Sequence, residues 1–143
     1  TDKGIPVEQT LEQIGKAVGE CAAAAADLGV QIRVEVHGRE TQKPAYMRTI
    51  MDHADHDNAY VCWNSNLGEV ENGSIKSNFD LLKHKIGLVH ITELCNDAYP
   101  WRELFGLLKS INYDGFTLAE IPASDQPDRL LRYYKALWTA YTA

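Results

Sequence analysis

The sequence predicts an α/β fold on a parallel sheet. Three observations carry that reading. The apolar period switches repeatedly between about 2 and about 3.6 residues, the signatures of strand and helix. The order is one helix and then four strand-helix units, and strict alternation of this kind gives parallel strands. Finally, a polar residue recurs near the end of each strand, at steps of 29, 26 and 30 residues, so each step is one such unit.

The opening helix has Pro6 in its first turn and an apolar stripe of Leu11, Ile14, Val18, Cys21, Ala25 and Leu28. Gly29 follows as its stop. Glu8, Glu12, Gln13, Lys16 and Glu20 form the wet face. A first strand is read over 32–37, where Val34 and Val36 face one way and Arg33, Glu35 and His37 the other. Pro44 to Ala54 reads as a second helix, striped by Met47, Ile50, Met51 and Ala54. A second strand covers 59–64, and a polar loop through Gly68, Asn72 and Gly73 follows. Ser74 is the expected N-cap of a third helix, striped by Ile75, Phe79, Leu82 and Ile86. A third strand is placed at 88–92. Pro100 opens a fourth helix with Trp101, Leu104, Phe105, Leu108 and Ile111 on its stripe. A turn at Asn112 to Gly115 leads to a fourth strand at 116–121, and Pro127 opens the last helix.

The chain has 143 residues, 45% of them hydrophobic and 24% charged, which suits one globular domain over 1–143. Its formal charge of -6 argues against a nucleic-acid partner, which needs a basic face. No run is long and apolar enough to suggest a membrane span. No secretory signal opens the chain, but it begins at Thr1 rather than Met. An upstream segment, a signal peptide included, is therefore left open, as is the compartment. Cys21, Cys62 and Cys95 are odd in number and widely spaced, so no disulfide framework is expected and each is read as a small buried hydrophobe.

The polar residues at the four strand ends are Glu35, Asn64, His90 and Glu120. In a parallel barrel all strand C-termini lie on one rim, so residues one unit apart become neighbours there. Two carboxylates, an imidazole and an amide converging on a rim suit Mn²⁺, Mg²⁺, Co²⁺ or Zn²⁺. Each also has a plainer reading. Glu35 could pair with Arg33 or His37, His90 could be a hydrogen-bonded core histidine, and Asn64 could make a turn. A carboxylate in a Val-Glu-Val strand is costly to bury alone, which requires some partner for Glu35. His37 lies on the same side as Glu35 and could line a substrate site. Asn66 falls just past the second strand end. Trp101, with Tyr99, follows the third strand and could stack on a ligand near the rim, although it also fits the stripe of the fourth helix.

The segments Arg33-Val-Glu-Val-His-Gly38, Leu88-Val-His-Ile-Thr-Glu-Leu94 and Tyr113-Asp-Gly-Phe-Thr-Leu-Ala-Glu-Ile-Pro122 resemble the xylose-isomerase-like TIM barrel family of sugar phosphate isomerases and epimerases. The likeness runs over essentially the whole chain, as the C-terminal half of a (β/α)8 TIM barrel from its fourth helix to its eighth. It implies a divalent metal held by Glu35, Asn64, His90 and Glu120, with Glu35 and Glu120 also moving a proton on opposite faces of the substrate carbon through an enediolate. It implies a small sugar or sugar phosphate as substrate, with His37, Asn66 and Trp101 on the binding side. Two departures stand out. The family's second ligand is normally aspartate where this chain has Asn64. A histidine soon after that position, and a basic residue soon after the third-strand histidine, are both missing here.

Four strands are half of what an eight-stranded barrel needs. The inward face with Tyr60, Leu88, Phe116 and Leu118 is expected to lie uncovered, which calls for an N-terminal half-barrel or a second copy of the chain. A flat doubly wound sheet is the alternative layout. The histidines and aspartates of Met51 to Asn58 are read as a solvated helix end. Two rival functions use the same barrel. One is a non-catalytic carbohydrate-binding or interaction module on a decayed site. The other is an apurinic endonuclease, disfavoured by the charge.

Overall fold

The computed structural model describes residues 4–143. Four strands, β1 (Ile32–Glu35), β2 (Ala59–Asn64), β3 (Ile86–Ile91) and β4 (Thr117–Ala119), form one sheet in the order β1-β2-β3-β4. Every pairing is parallel. The helices are α1 (Val7–Ala26), α2 (Pro44–Ala54), α3 (Lys76–Leu82), α4 (Trp101–Ser110) and α5 (Pro127–Thr142), with a short 3-10 turn at Leu67–Glu69. This is the expected helix followed by four strand-helix units, a partial TIM barrel.

Alternation along the strands divides the sheet into two faces. Val61, Trp63, Val89 and Ile91 are buried with Met47, Ile50, Phe79, Leu82 and Leu104 of the helices. Trp63 and Phe79 meet edge to face with centroids 5.5 Å apart, a geometry that adds about 1 kcal/mol to their burial. The opposite face has no such cover: Phe116 is 73% exposed and Leu118 42%. Tyr60 and Leu88, expected on the same uncovered face, are half-buried, so the exposed part of that face lies at β4.

The structure moves several boundaries. β3 begins at Ile86, which the sequence assigns to the end of the third helix. Helix α3 stops at Leu82, and the Lys85 carbonyl accepts the Val61 N–H at 2.7 Å, which draws Ile86 into register with Val61. Strand β1 ends at Glu35 instead of His37, because the His37 N–H turns back to the Glu35 carbonyl at 2.9 Å.

The stripe of α1 also differs. Leu11, Gly15 and Ala22 are its buried residues, while Cys21 is exposed and Leu28 is 78% exposed. The cause is a close helix-helix approach. A Cβ on Gly19 would lie 2.4 Å from the Ala54 carbonyl oxygen, and one on Gly15 would lie 2.6 Å from that of Ile50. Small residues let α1 settle on α2, with Ile14 and Val18 partly buried beside them, and Leu28 lies past the end of the helix at Ala26. Among the cysteines only Cys62 is buried; Cys21 and Cys95 are exposed, against the expectation that all three are core residues.

Candidate metal centre

The rim is the C-terminal end of the sheet. Glu35 closes β1, Asn64 closes β2, His90 lies one residue before the end of β3, and Glu120 follows β4. Pairing fixes their heights: Glu35 is in register with Cys62, and Asn64 with His90. The Glu120 N–H donates to the Ile91 carbonyl at 2.8 Å, continuing the ladder one residue past β4. Ser65 Oγ donates to the His90 carbonyl at 2.8 Å, and the Tyr134 hydroxyl of α5 donates to the carbonyls of Ile91 and Thr92 at 2.9 and 3.0 Å. The end of β3 is thus held from both sides.

Three of the four expected ligands meet. His90 Nδ1 lies 3.0 Å from Glu35 Oε1 and 3.5 Å from Glu120 Oε2. One donor atom from each of Glu35, His90 and Glu120 falls within 4.8 Å of the others. The side chains stay open to solvent, at 39% for Glu35, 24% for His90 and 48% for Glu120. Two carboxylates flanking one imidazole nitrogen leave negative charge that a proton on the ring or a cation between them would offset.

Asn64 sits at the next strand end but is bound differently. It is 3% exposed, and its Nδ2 lies 3.0 Å from His37 Nδ1. Its Oδ1 is buried with no hydrogen-bond partner. A buried, unpaired amide oxygen is uncommon and invites a donor or a cation. Two carboxylates and an imidazole form a donor set that suits a hard or borderline divalent ion, and this free amide oxygen belongs to the neighbouring strand end.

The remaining expected site residues are spread out. His37 is exposed and engages Asn64. Asn66 is half-buried, and its Nδ2 donates to the carbonyls of Val36 at 2.7 Å and Asn64 at 3.2 Å, so it braces two strand ends. Trp101 is 2% exposed, with its indole N–H on the Asn96 carbonyl at 3.0 Å and its ring against Tyr99. The structure places it in the core and not on the open rim, because its position on the α4 stripe prevails. His53 and His56 are not part of the cluster: His53 is exposed in the last turn of α2, and His56 Nδ1 accepts the Asn58 N–H at 3.0 Å.

Sequence reasoning missed Glu69. It is fully buried, and its Oε1 accepts the Asn66 N–H at 2.8 Å and the Tyr99 hydroxyl at 3.0 Å. Burial pushes its carboxyl up to about 8 from an ordinary 4.5, although both hydrogen bonds pull the other way. The available signal was Asn66-Leu-Gly-Glu69, the spacing of a capping box, which the structure contains. Cys62, in register with Glu35, is also pushed up, to about 11, by burial first and by the Glu35 charge second.

No curated protein matches the sequence. The crystal structure of a 3-keto-D-glucoside 4-epimerase from E. coli, in its apo form, superposes with a TM-score of 0.76 at 16% identity. The match covers 96% of this chain and 56% of the epimerase, so the chain spans little more than half the length of that protein. At that identity the likeness speaks for the fold alone. The family described as xylose isomerase-like TIM barrel matches residues 1–137. The chain belongs to the xylose isomerase-like TIM barrel family.

Proposed function

We propose that this chain carries the metal-binding rim of a sugar isomerase or epimerase that works by proton transfer next to a carbonyl. The observation that supports this most is the meeting of Glu35, His90 and Glu120 within 4.8 Å at the ends of parallel strands. The family and the epimerase likeness support the same class. Glu35, His90 and Glu120 would hold a divalent ion, with Asn64 Oδ1 as a neutral fourth donor. When bound, such an ion supplies Lewis-acid polarisation of the substrate carbonyl.

Glu35 and Glu120 then divide the proton transfer. Glu35, as carboxylate, takes the proton from the carbon beside the carbonyl, and that bond's electron pair moves toward the carbonyl oxygen to give an enediolate. Glu120, entering as the acid, returns a proton from the opposite face. The two come from the outer strands β1 and β4, so a flat substrate between them would present one face to each. His37 and Asn66 are the candidates for holding substrate hydroxyls. The apolar inner face is covered in the working molecule by further barrel strands, from more of the same polypeptide or from a second copy.

A rival reading, a non-catalytic carbohydrate-binding module, is favoured by Asn64 standing where the family usually has aspartate. A Mn²⁺ titration followed by electron paramagnetic resonance separates the two. The isomerase reading expects stoichiometric binding that is lost in a Glu35→Gln/Glu120→Gln double variant and tightened roughly tenfold or more by Asn64→Asp, which adds a charge. No binding by the natural sequence, with binding restored by Asn64→Asp alone, favours the decayed site. No binding by any variant overturns the ligand assignment.

A further inference from the structure

Beside the rim lies a second polar cluster that the proposed chemistry does not use. It centres on Glu69, at the end of the turn Leu67–Glu69. One oxygen, Oε1, accepts from the Asn66 backbone and from Tyr99. The Tyr99 hydroxyl in turn accepts the Trp63 indole N–H at 3.1 Å. A single carboxyl therefore joins the end of β2, the turn after it and the loop before α4. Asn66 extends the connection by donating to the carbonyls of Val36 and Asn64, one residue from Glu35 and at Asn64 itself.

The electrostatics of this cluster are one-sided. Among the described residues, Tyr99 is the titratable side chain in contact with the carboxyl. Trp63 from β2, Asn66 from the turn and Asn78 from α3, which donates to the Glu69 main-chain carbonyl at 2.9 Å, are all neutral. Among the described residues no cation offsets a charge and none partners Oε2, which is buried. An ionised carboxylate in that setting is costly even with two donors on Oε1, whereas the neutral acid loses less by leaving its Oε2 hydroxyl unpaired.

We propose that Glu69, in its neutral form, is a positioning residue for the rim: it fixes the turn that carries Asn64 and Asn66, and its ionisation releases that turn. The isomerase reading gives this turn its purpose, but the coupling is a property of the turn alone.

The test is amide hydrogen exchange at Asn66, corrected for intrinsic rate, together with the Trp63 indole resonance. Both are followed from about pH 6 to about pH 10 without added metal or sugar. In the natural sequence, Asn66 protection should fall about tenfold or more through a step near 8, with the Trp63 resonance moving in parallel. Glu69→Gln, which keeps an acceptor but cannot ionise, should show no step. Tyr99→Phe removes a donor that favours the charged form, so its step should move to higher pH. Protection unchanged across the range overturns the proposal, as does a step that persists in Glu69→Gln or fails to move in Tyr99→Phe. Failure of the Mn²⁺ titration would count against the isomerase reading and leave this result standing.

Discussion

Two acidic sites share one end of the sheet and have opposite character. Glu35 and Glu120 remain 39% and 48% exposed and approach His90 Nδ1 from two sides. Glu69 is completely enclosed and faces a hydroxyl, a main-chain N–H and no cation. The residue type is the same, and environment decides its use. Carboxylates that keep contact with water beside an imidazole are open to a cation. A carboxyl sealed among aromatic rings is held neutral and acts as a hydrogen-bond hub.

The largest expected difference between the two is in stability. Glu69→Ala leaves the Asn66 N–H and Tyr99 hydroxyl unpaired around a new cavity and should cost about 3 kcal/mol in urea unfolding. Glu35→Ala removes a solvent-reachable carboxylate and should change stability by no more than about 0.5 kcal/mol. Equal losses in the two variants would break the comparison.

Proton linkage gives the two sites a second, pH-dependent difference. The Glu69 carboxyl is raised to about 8 in the fold against 4.5 ordinarily, so the folded state holds this proton more tightly than the unfolded chain. Its contribution is fully present below the unfolded value and is lost as pH rises through the folded one. Stability should therefore decline between those two values, by up to about 1.4 kcal/mol per pH unit, and level off above them. Glu69→Gln should flatten that decline. A natural protein whose unfolding midpoint does not move over this window would show that Glu69 is ionised in the fold.

The two regions were also unequally legible in the sequence. The triad could be found because β-α spacing is a long-range rule: Glu35, His90 and Glu120 each fall one or two units apart, and parallel pairing brings them together whatever the loops do. Glu69 lies in a polar loop with no apolar period, and its burial depends on Tyr99, 30 residues away, folding over it. Trp101 failed as a rim residue for a related reason, since its place on a helix stripe outweighed its nearness in sequence to the end of β3. The close contact of α1 with α2 was hidden because the stripe is read from large residues, whereas the contact is made through Gly15 and Gly19, and Leu28 lies beyond the end of α1 at Ala26.

Asn64 belongs to both regions, and the smallest predicted effect concerns it. Its main-chain carbonyl is braced by Asn66, on the Glu69 side, while its side-chain amide meets His37, on the rim side. His37→Ala leaves both polar atoms of a buried amide without a protein partner, because Oδ1 already has none. The expected cost is about 1 kcal/mol in urea unfolding, with the Asn66 amide still protected from exchange, because the Glu69 brace is intact. Loss of Asn66 protection in this variant would mean that the rim and the buried hub act as one cooperative unit. Retained protection with the small stability loss would mean that the turn is held from the Glu69 side and that His37 serves only to orient the Asn64 side chain.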